Sequence, residues 1–415
     1  MKKCCSVLIA IVLMGSIPAC IANAILIPMD EAQKNHLKSY GLAFAVLQRG
    51  GYVDWLLNYR GGSFLVPYEQ YMHTECVVRG ISFEVMSDVA VNTLLKEIES
   101  PAVNMNLVRL EKAPRIAVYS PKGDFLKDET DAVILVLDYA EIPYVLLYDE
   151  EVLDDQLARY DWLHLHHEDF TGQFGRHLRR ESQLEADLQK ITASKRGYAK
   201  VSEMKLDVAK KIKGFCAGGG YLFAMCSGAE TFDIALSADG VDITESIYDG
   251  DEADPEAQSK LDFNKSLAFE NFTMESGYSR KFSDINTGWG DYWQRKDFFN
   301  LFEFSAKWDI IPSLLTQNHE HTIREFIGQT TAFSKYVVKS SALILAENRK
   351  LNNVRYIYGE LGRGHWTYYS GHDPEGNPGQ WREPTDLNQH PNSPGYRLIL
   401  NNVLFPSAKK KKQKT

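Results

Sequence analysis

The sequence predicts an α/β protein whose main domain is a doubly wound, mainly parallel sheet. From Pro114 onward, short apolar runs alternate with longer amphipathic runs, as strands alternate with crossover helices in such sheets. The chain has 415 residues and 44% hydrophobic composition, enough to bury a core on both faces of a sheet. We also expect an N-terminal αβ segment and an aromatic-rich insertion.

The elements follow from local patterns taken in chain order. The first amphipathic run ends at Gly50 and Gly51, as helices commonly do. In the N-terminal segment we predict a strand over 25–28, a helix over 31–49 and a strand over 53–57. In the main domain we predict strands over 115–119, 144–148, 162–166 and 221–225, with helices over 128–140, 152–157 and 179–214. Leu184, Leu188 and Ile191 are spaced for one face of the last of these helices.

The alternation then breaks down into polar, aromatic-rich sequence containing Trp289, Tyr292 and Trp293. We interpret this stretch as an insertion that covers one end of the sheet. The sheet resumes with strands over 342–346, 355–358 and 365–370. The predicted division is a signal peptide at 1–24, an N-terminal segment at 25–113, the main domain at 114–247 and 341–406, an insertion at 248–340, and a basic tail at 407–415.

The first residues predict export. Lys2 and Lys3 precede a short apolar run, and the stretch 22–24 (Ala-Asn-Ala) supplies a small-x-small cleavage site. We therefore expect an exported, periplasmic protein that begins at Ile25. Lipidation at Cys20 is the less favoured alternative, because Pro18 interrupts the motif that precedes it.

Cleavage after residue 24 would leave Cys76, Cys216 and Cys226. An odd number of cysteines leaves at least one free thiol, and so few do not form a disulfide framework. A bridge between Cys216 and Cys226 remains an alternative at this stage.

The charge balance limits the partners. The chain has 55 acidic and 46 basic residues, which argues against a nucleic-acid partner. No stretch is long and apolar enough to span a bilayer. The lysine-rich stretch 409–414 is typical of a solvated tail. We expect a small-molecule or carbohydrate substrate, and the oligomeric state stays open.

One segment carries the chemical prediction. A glycine turn at 218–220 leads into the apolar strand 221–225, and Cys226 stands where that strand gives way to a helix. A side chain at such a turn is held above the sheet and faces the N-terminal dipole of the helix, which favours a thiolate. The segment 224–228 (Ala-Met-Cys-Ser-Gly) differs at one residue from the Gly-x-Cys-x-Gly form of a nucleophile elbow. The alternative is that Cys226 is a small buried apolar residue.

A cysteine nucleophile needs a base and a group that orients the base. His372 follows a late strand and should reach the crevice at the carboxyl ends of a parallel sheet. Asp373 and Glu375 are the candidate orienting groups. His365 begins the same strand and should lie at its opposite end, so we expect His372 to be the histidine near Cys226. The alternative is a turn in which Asp373 only shapes the backbone.

A second polar cluster follows another strand. His164 and His166 lie on the same face of that strand, a spacing that suits a divalent metal. Three interpretations remain open for the cluster: a metal site, the lining of a substrate pocket, and structural hydrogen bonding. We predict a substrate-binding role and no metal or cofactor. The predicted substrate-binding residues are Ser227, His166, His167, Glu168 and Asp169.

Cys226 on its elbow and the segment His372-Asp373-Pro374-Glu375 together resemble the class I glutamine amidotransferase-like superfamily, whose fold is flavodoxin-like. The resemblance runs from about 114 to 405, and the end of the chain is similar to the trehalose-utilisation-type branch. It implies a cysteine-dependent hydrolase acting on an amide or ester. The chain departs from the family at three points: Glu375 is three residues after His372 instead of two, 166–172 replaces a glycine pair, and no synthase domain follows.

The sequence also suggests two alternative functions. A non-catalytic or metal-assisted carbohydrate-binding protein would stack sugars on Trp289, Tyr292 and Trp293. The segments 27–30 and 57–64 also resemble exported bacterial proteins labelled asparagine synthetase B. The residues do not support that activity, because the predicted mature N-terminus is Ile25 instead of cysteine and the Ser-Gly-Gly-x-Asp-Ser loop is missing.

Overall fold

The chain folds as a mixed α/β protein with two sheets. The computed structural model describes residues 22–122, 130–176, 180–277, 281–287, 298–309, 312–315, 320–328, 330, 332–376 and 383–408. The predicted insertion aromatics, the lysine-rich tail and most of the predicted signal peptide lie outside these ranges. Within them, no helix combines the length and apolar character needed to cross a membrane. The predicted α/β class is confirmed.

The N-terminal segment forms an antiparallel sheet. Its strands are β1 Ala22–Ile27, β2 Val53–Leu57, β3 Ser63–Pro67, β4 Glu84–Ser87 and β5 Asn106–Leu110, and its helices are α1 His36–Gln48, α2 Gln70–Val78 and α3 Asp88–Glu99. The strands lie in the order β4-β1-β3-β2-β5. The predicted cleavage point falls within β1, and Ile25, Leu26 and Ile27 on its far side pair with β3.

Helix α1 begins five residues later than predicted because Asn35 caps it. The Asn35 side chain accepts a hydrogen bond from the Lys38 amide at 2.9 Å. A side-chain oxygen at this position satisfies one of the amides that have no partner within the helix. The residues before Asn35 therefore form turns instead of the first helical turn.

The main domain carries the larger sheet. Its strands are β6 Ile116–Tyr119, β7 Val145–Leu147, β8 Trp162–Leu165, β9 Tyr221–Met225, β10 Phe298–Leu301, β11 Thr322–Arg324, β12 Phe333–Ser334, β13 Leu343–Asn348, β14 Asn353–Leu361 and β15 Gly364–Tyr369. Its helices are α4 Ala132–Tyr139, α5 Asp149–Leu153, α6 Arg180–Arg196, α7 Val201–Ala217, α8 Cys226–Ser237, α9 Ser246–Asp249, α10 Ala257–Lys260, α11 Pro312–Leu315 and α12 Pro394–Leu404.

This sheet is half parallel and half antiparallel. The strands lie in the order β11-β10-β13-β14-β15-β9-β8-β6-β7, with β12 paired to β14. The run from β15 to β7 is parallel, whereas β14, β13, β10 and β11 pair antiparallel. The prediction of a mainly parallel sheet is therefore wrong for one half of the sheet. Strands β13, β14 and β15 follow one another through short turns, and only antiparallel neighbours can be joined by turns of this length. The predicted insertion extends the sheet through β10 and β11.

Four strands of the parallel half, β6, β8, β9 and β15, are almost entirely buried on both faces, which explains their largely apolar sequences. In β9, Leu222 and Ala224 belong to one hydrophobic cluster. Phe223 and Met225 belong to the other, which also contains α1, α4, α12 and the N-terminal sheet. The N-terminal sheet thus shares a core with one face of the main domain.

The predicted long helix over 179–214 is two helices, α6 and α7. Gly197 interrupts them with a φ of +84°. The Tyr198 amide donates to the Ala193 carbonyl at 3.0 Å, which is the bond that closes a Schellman motif. A glycine with left-handed backbone angles therefore ends α6, and the next helix, α7, begins at Val201.

A buried arginine ties the N-terminal segment to α12. Arg397 is fully buried, and its guanidinium donates to the Met29 carbonyl at 3.2 Å and the Gly61 carbonyl at 2.8 Å. Nearby, the Tyr40 hydroxyl donates to Asn401 at 2.6 Å. These bonds hold α12 against the turn regions of the N-terminal sheet.

We predict that Arg397→Met will lower the free energy of unfolding by roughly 2 kcal/mol or more, because buried carbonyls lose their donors. Urea unfolding measures the change. Arg363→Met is the matched control, since Arg363 is exposed and should change stability by less than about 0.5 kcal/mol. Equal losses in the two variants would contradict a structural role for the buried guanidinium.

Candidate functional site

Cys226 has the backbone of a nucleophile elbow. It follows β9 directly and is the first residue of α8, and its φ is +50°. A residue other than glycine rarely adopts this left-handed conformation, and such strain is concentrated at functional sites. At a strand-to-helix turn, it directs the side chain away from the sheet. The residue is 1% exposed, so the thiol is buried.

The glycine two residues after Cys226 is required by a close contact. The Gly228 amide donates to the His166 carbonyl at 2.7 Å, and a Cβ at Gly228 would lie 2.4 Å from that carbonyl oxygen. Ala224, which occupies the position of the other elbow glycine, pairs with Leu165 and Tyr368 inside the sheet. Its methyl group fits in the core, so alanine in place of this glycine is compatible with the elbow.

The predicted site residues follow neighbouring parallel strands. His166 comes directly after β8, Cys226 directly after β9, and His372 shortly after β15. In the register of β15 and β9, Tyr369 is opposite Met225 and His365 is opposite Tyr221. His365 therefore lies at the other end of the strand, where its Nδ1 is hydrogen-bonded to the Tyr358 hydroxyl.

The His372 ring bonds to another histidine. Its Nδ1 lies 2.8 Å from His166 Nε2, and its Nε2 lies 3.2 Å from the Thr130 hydroxyl. The His372 amide also donates to the Ile327 carbonyl at 2.9 Å. Gly328 makes room for the side chain, since a Cβ there would lie 2.2 Å from His372 Cβ.

Behind His166 lies a buried carboxylate. Asp131 caps α4, and its Oδ1 accepts the Val133 and Ile134 amides at 2.7 and 3.0 Å. The same Oδ1 lies 3.2 Å from His166 Nδ1, and Oδ2 lies 3.5 Å from His164 Nε2. Burial opposes ionisation of Asp131, but the two imidazoles outweigh it and hold its pKa well below the usual range.

Burial also shifts the pKa of groups along the His166 loop. Desolvation lowers the pKa of His166, and the Asp131 carboxylate only partly opposes that shift. Burial raises the pKa of Glu168 to about 7, and the Glu168 side chain accepts the His166 amide at 3.0 Å. The Ser227 hydroxyl donates to the His167 carbonyl at 3.0 Å, which ties the loop to the first turn of α8.

Asp169 shapes the loop that contains it. Its carboxylate accepts the Thr171 amide and hydroxyl at 2.7 and 2.6 Å and the Gly175 amide at 3.0 Å. Burial raises the pKa of Asp169. These contacts are those of a residue that fixes a turn, whereas His166 and His167 lie beside the His372 ring.

The two predicted orienting carboxylates contact other groups. Asp373 accepts the Tyr396 hydroxyl at 2.9 Å and the Thr385 hydroxyl at 2.6 Å. Glu375 accepts the Ser393 hydroxyl at 2.7 Å. Because both His372 ring nitrogens have the partners described above, His166 is the better candidate for the group that orients His372.

Asp131 and Thr130 were missed at the level of sequence. The predicted helix starts at 128, and Asp131 would then lie inside its first turn. An aspartate followed by the apolar run 132–137 is a typical N-cap signal, and a cap after β6 must lie at the carboxyl edge of the sheet. That signal would have located Asp131 beside the histidines.

The described cysteines are unbridged. Cys76, Cys216 and Cys226 are all buried and form no disulfide, so the alternative of a bridge between the last two does not hold. Burial raises the pKa of Cys216 to about 12. Cys216 is thus a core thiol and a suitable reference for Cys226.

Comparisons with known proteins give only distant likenesses. No family model matches the chain, and no curated protein matches it. It is similar to the cytoplasmic proteins STM3548 from Salmonella typhimurium (13% identity, TM-score 0.37, 71% of this chain and 100% of the other) and STM1381 from Salmonella typhimurium LT2 (14% identity, TM-score 0.36, 71% and 100%). It is also similar to Gan42B, a GH42 beta-galactosidase from G. stearothermophilus (10% identity, TM-score 0.26 to 0.27, 67 to 68% of this chain and 29 to 30% of the other). At these TM-scores the likenesses assign no function.

We predict that Gly228→Ala will lower the free energy of unfolding by roughly 1–3 kcal/mol, because the added methyl group must displace the His166 carbonyl. Gly214→Ala is the control. Gly214 lies within α7 with open space at its Cβ position, so alanine should stabilise the helix by about 0.5–1 kcal/mol. Thermal or urea unfolding gives both values, and a neutral Gly228→Ala variant would argue against the tight elbow.

Another buried acid, Glu230, allows a pH test. Glu230 lies one turn after Cys226 and accepts the Ser283 hydroxyl at 2.7 Å and the Thr330 hydroxyl at 3.0 Å. Burial raises its pKa from 4.5 to about 7, and these hydrogen bonds only partly oppose the shift. The protonated form is therefore favoured in the folded state. Its contribution to stability is complete below the unfolded-state pKa and is lost as the pH rises through about 7.

We predict that Glu230→Gln, which stays neutral, will lose less stability between pH 5 and pH 8 than the wild type, by roughly 2–3 kcal/mol. Urea unfolding at several pH values measures the difference. Glu252→Gln, at an exposed position, should follow the wild-type profile. Parallel profiles for wild type and Glu230→Gln would show that the carboxyl is ionised in the folded state throughout this range.

Proposed function

We propose that this chain is an exported class I glutamine amidotransferase-like protein that acts as a cysteine-dependent hydrolase on an amide or ester of a small molecule. The observation that carries the proposal is the left-handed backbone of Cys226 at the β9–α8 junction. Its support comes from the histidines that follow the two strands adjacent to β9, since a thiol nucleophile requires a base at the same edge of the sheet.

The arrangement of the parallel strands is in keeping with that proposal. The parallel half has the order β7-β6-β8-β9-β15. Numbered along the chain, this is the order 2-1-3-4-5 of flavodoxin-like sheets, in which ligands bind outside the carboxyl ends of the strands. The antiparallel strands and the N-terminal sheet would then be additions to that unit.

In the proposed first step, the Cys226 thiol transfers its proton to His372 Nε2 as the sulfur attacks the substrate carbonyl carbon. The carbonyl electron pair moves to oxygen, and the Ser227 amide donates to the resulting oxyanion. Ser227 lies in the first turn of α8, where amides have no acceptor within the helix. The carbon–nitrogen or carbon–oxygen bond then breaks, and the leaving group takes the proton from His372.

In the second step, a water molecule gives a proton to His372 and attacks the thioester carbon. The carbon–sulfur bond breaks, the proton returns to the thiolate, and a carboxylic acid leaves. His166 would hold His372 in the tautomer that has its proton on Nδ1, because the two rings lie within hydrogen-bond distance. Asp131 would orient His166 in the same way through Nδ1.

Alkylation and turnover test the proposal together. We predict that iodoacetamide at pH 6 will modify Cys226 faster than free cysteine and far faster than Cys216, which is equally buried. Peptide mapping identifies the modified residue. Ammonia release from glutamine and hydrolysis of a small activated ester test turnover.

Cys226→Ser and His372→Ala should each lower any turnover by about 10²-fold or more. Cys216→Ser should leave it unchanged, because that thiol is in the core. The proposal fails if Cys226 reacts no faster than free cysteine and turnover survives Cys226→Ser.

The carbohydrate-binding alternative has separate support and a separate test. The aromatic residues on which it depends lie outside the described residues. Its metal-assisted form gains weight from the grouping of His164, His166 and Asp131 described above. Binding of a glycan panel to the Cys226→Ser variant would favour this alternative over hydrolysis.

A further inference from the structure

Three buried side chains place their ligand atoms at nearly equal distances. His164 Nε2 lies 3.3 Å from His166 Nδ1, His166 Nδ1 lies 3.2 Å from Asp131 Oδ1, and His164 Nε2 lies 3.5 Å from Asp131 Oδ2. The two histidines are 0% exposed and Asp131 is 2% exposed. Two imidazole rings and one carboxylate thus lie together away from solvent.

These distances are also those expected around a bound metal ion. Ligands about 2.0–2.1 Å from a tetrahedral zinc ion lie about 3.3 Å from one another. The separation of 3.3 Å between His164 Nε2 and His166 Nδ1 matches one edge of that tetrahedron. The nitrogen–oxygen separations of 3.2 and 3.5 Å have similar lengths and involve different oxygens of the Asp131 carboxylate. By contrast, His166 Nε2 and His372 Nδ1 are 2.8 Å apart, which is an ordinary hydrogen-bond distance and too short for two ligands of the same ion.

Hydrogen bonds orient two of these residues, as is usual for the ligands of a metal ion. His164 Nδ1 lies 3.1 Å from the Phe223 carbonyl, so this nitrogen carries the ring proton and Nε2 is available as a ligand. The two α4 amides orient Asp131. Hydrogen bonds that fix the ring tautomer and the carboxylate orientation are characteristic of metal sites.

We propose that Asp131, His164 and His166 bind a divalent first-row metal ion, with zinc as the expected ion. Two imidazole nitrogens and a carboxylate oxygen are ligands that suit zinc, and three protein ligands leave one position for water. The site does not include Cys226, but it shares Asp131 and His166 with the proposed hydrolase. A His166 Nδ1 that binds an ion cannot donate to Asp131, so the ion and the proposed mechanism require different tautomers of His166.

Two other groupings fit a metal less well. His166, His167 and His372 also lie close together, but the short His166–His372 distance indicates a hydrogen bond. Asp242, Asp249 and Asp251 surround the Lys200 ammonium at 2.6, 3.1 and 2.6 Å. A cation already occupies the centre of that acidic group.

Metal titration of the full chain tests the site. We predict that protein stripped with a chelator will take up about one equivalent of Zn²⁺, and that Co²⁺ will give the intense visible absorption of a tetrahedral site. Asp131→Asn is the principal variant, because asparagine remains a good N-cap while losing the charge. It should weaken Zn²⁺ binding by more than about 10-fold.

His164→Phe is the second variant and keeps a flat ring stacked between Trp162 and Phe223. It should abolish the Co²⁺ absorption while circular dichroism shows a folded protein. Asp251→Asn controls for adventitious binding and Cys226→Ser for thiol ligation, and both should bind Zn²⁺ like the wild type. The proposal is overturned if wild type binds no more Zn²⁺ than Asp131→Asn, or if Cys226→Ser removes the metal. Cys226 alkylation in chelator-treated protein reports on the hydrolase proposal separately.

Discussion

The candidate site depends on one backbone hydrogen bond, from the Gly228 amide to the His166 carbonyl. It joins the first turn of α8 to the loop after β8 at 2.7 Å. The sheet register brings the ends of these strands together, but strand pairing alone leaves the loops free to diverge. This bond and the bond from Ser227 to the His167 carbonyl fix the histidine loop beside Cys226. The left-handed backbone at Cys226 is part of the same arrangement, since it allows the helix to begin immediately after β9.

Asp131 provides the electrostatic counterpart of that contact. An ionised carboxylate that is almost fully buried is costly unless donors or positive groups compensate for it. Here the amides at the N-terminus of α4 and two imidazoles supply the compensation. The position of α4 therefore determines where His164 and His166 can lie, and His166 in turn positions His372. Residues from β8, α4 and the segment after β15 thus form one connected polar unit within an apolar core.

The sequence was most informative where periodicity and local signals agreed. Strands β2 and β9 lie within the predicted bounds, and the strand-to-helix change at Cys226 follows directly from an apolar run after glycines. The direction of strand pairing was harder to predict, because an apolar strand has the same sequence pattern whether its neighbour is parallel or antiparallel. That is why the antiparallel addition of β13 and β14 was not foreseen. The split between α6 and α7 was missed because the helical pattern continues on both sides of Gly197.

The site shows a similar division. Cys226, His166 and His372 were found because each follows a predicted strand, and the sheet brings such positions to one edge. The contacts that give these residues their orientation come from Thr130 and Asp131, more than 200 positions before His372. No periodicity links residues so far apart in the chain. Asp373 and Glu375 were favoured by proximity in sequence, but their carboxylates point to Tyr396 and Ser393.

The bond between the His166 and His372 rings has a direction that the occupant of His166 Nδ1 decides. A neutral imidazole carries one ring proton. If His166 donates that proton to Asp131, its Nε2 accepts from His372, and His372 Nε2 is left basic. If a cation occupies Nδ1, the proton moves to Nε2, the bond reverses, and His372 Nε2 becomes a donor. The pair would then couple the buried ion to whatever binds at His372 Nε2. By thermodynamic reciprocity, a ligand that requires one direction of this bond must change the affinity for the ion by the same factor by which the ion changes the affinity for that ligand.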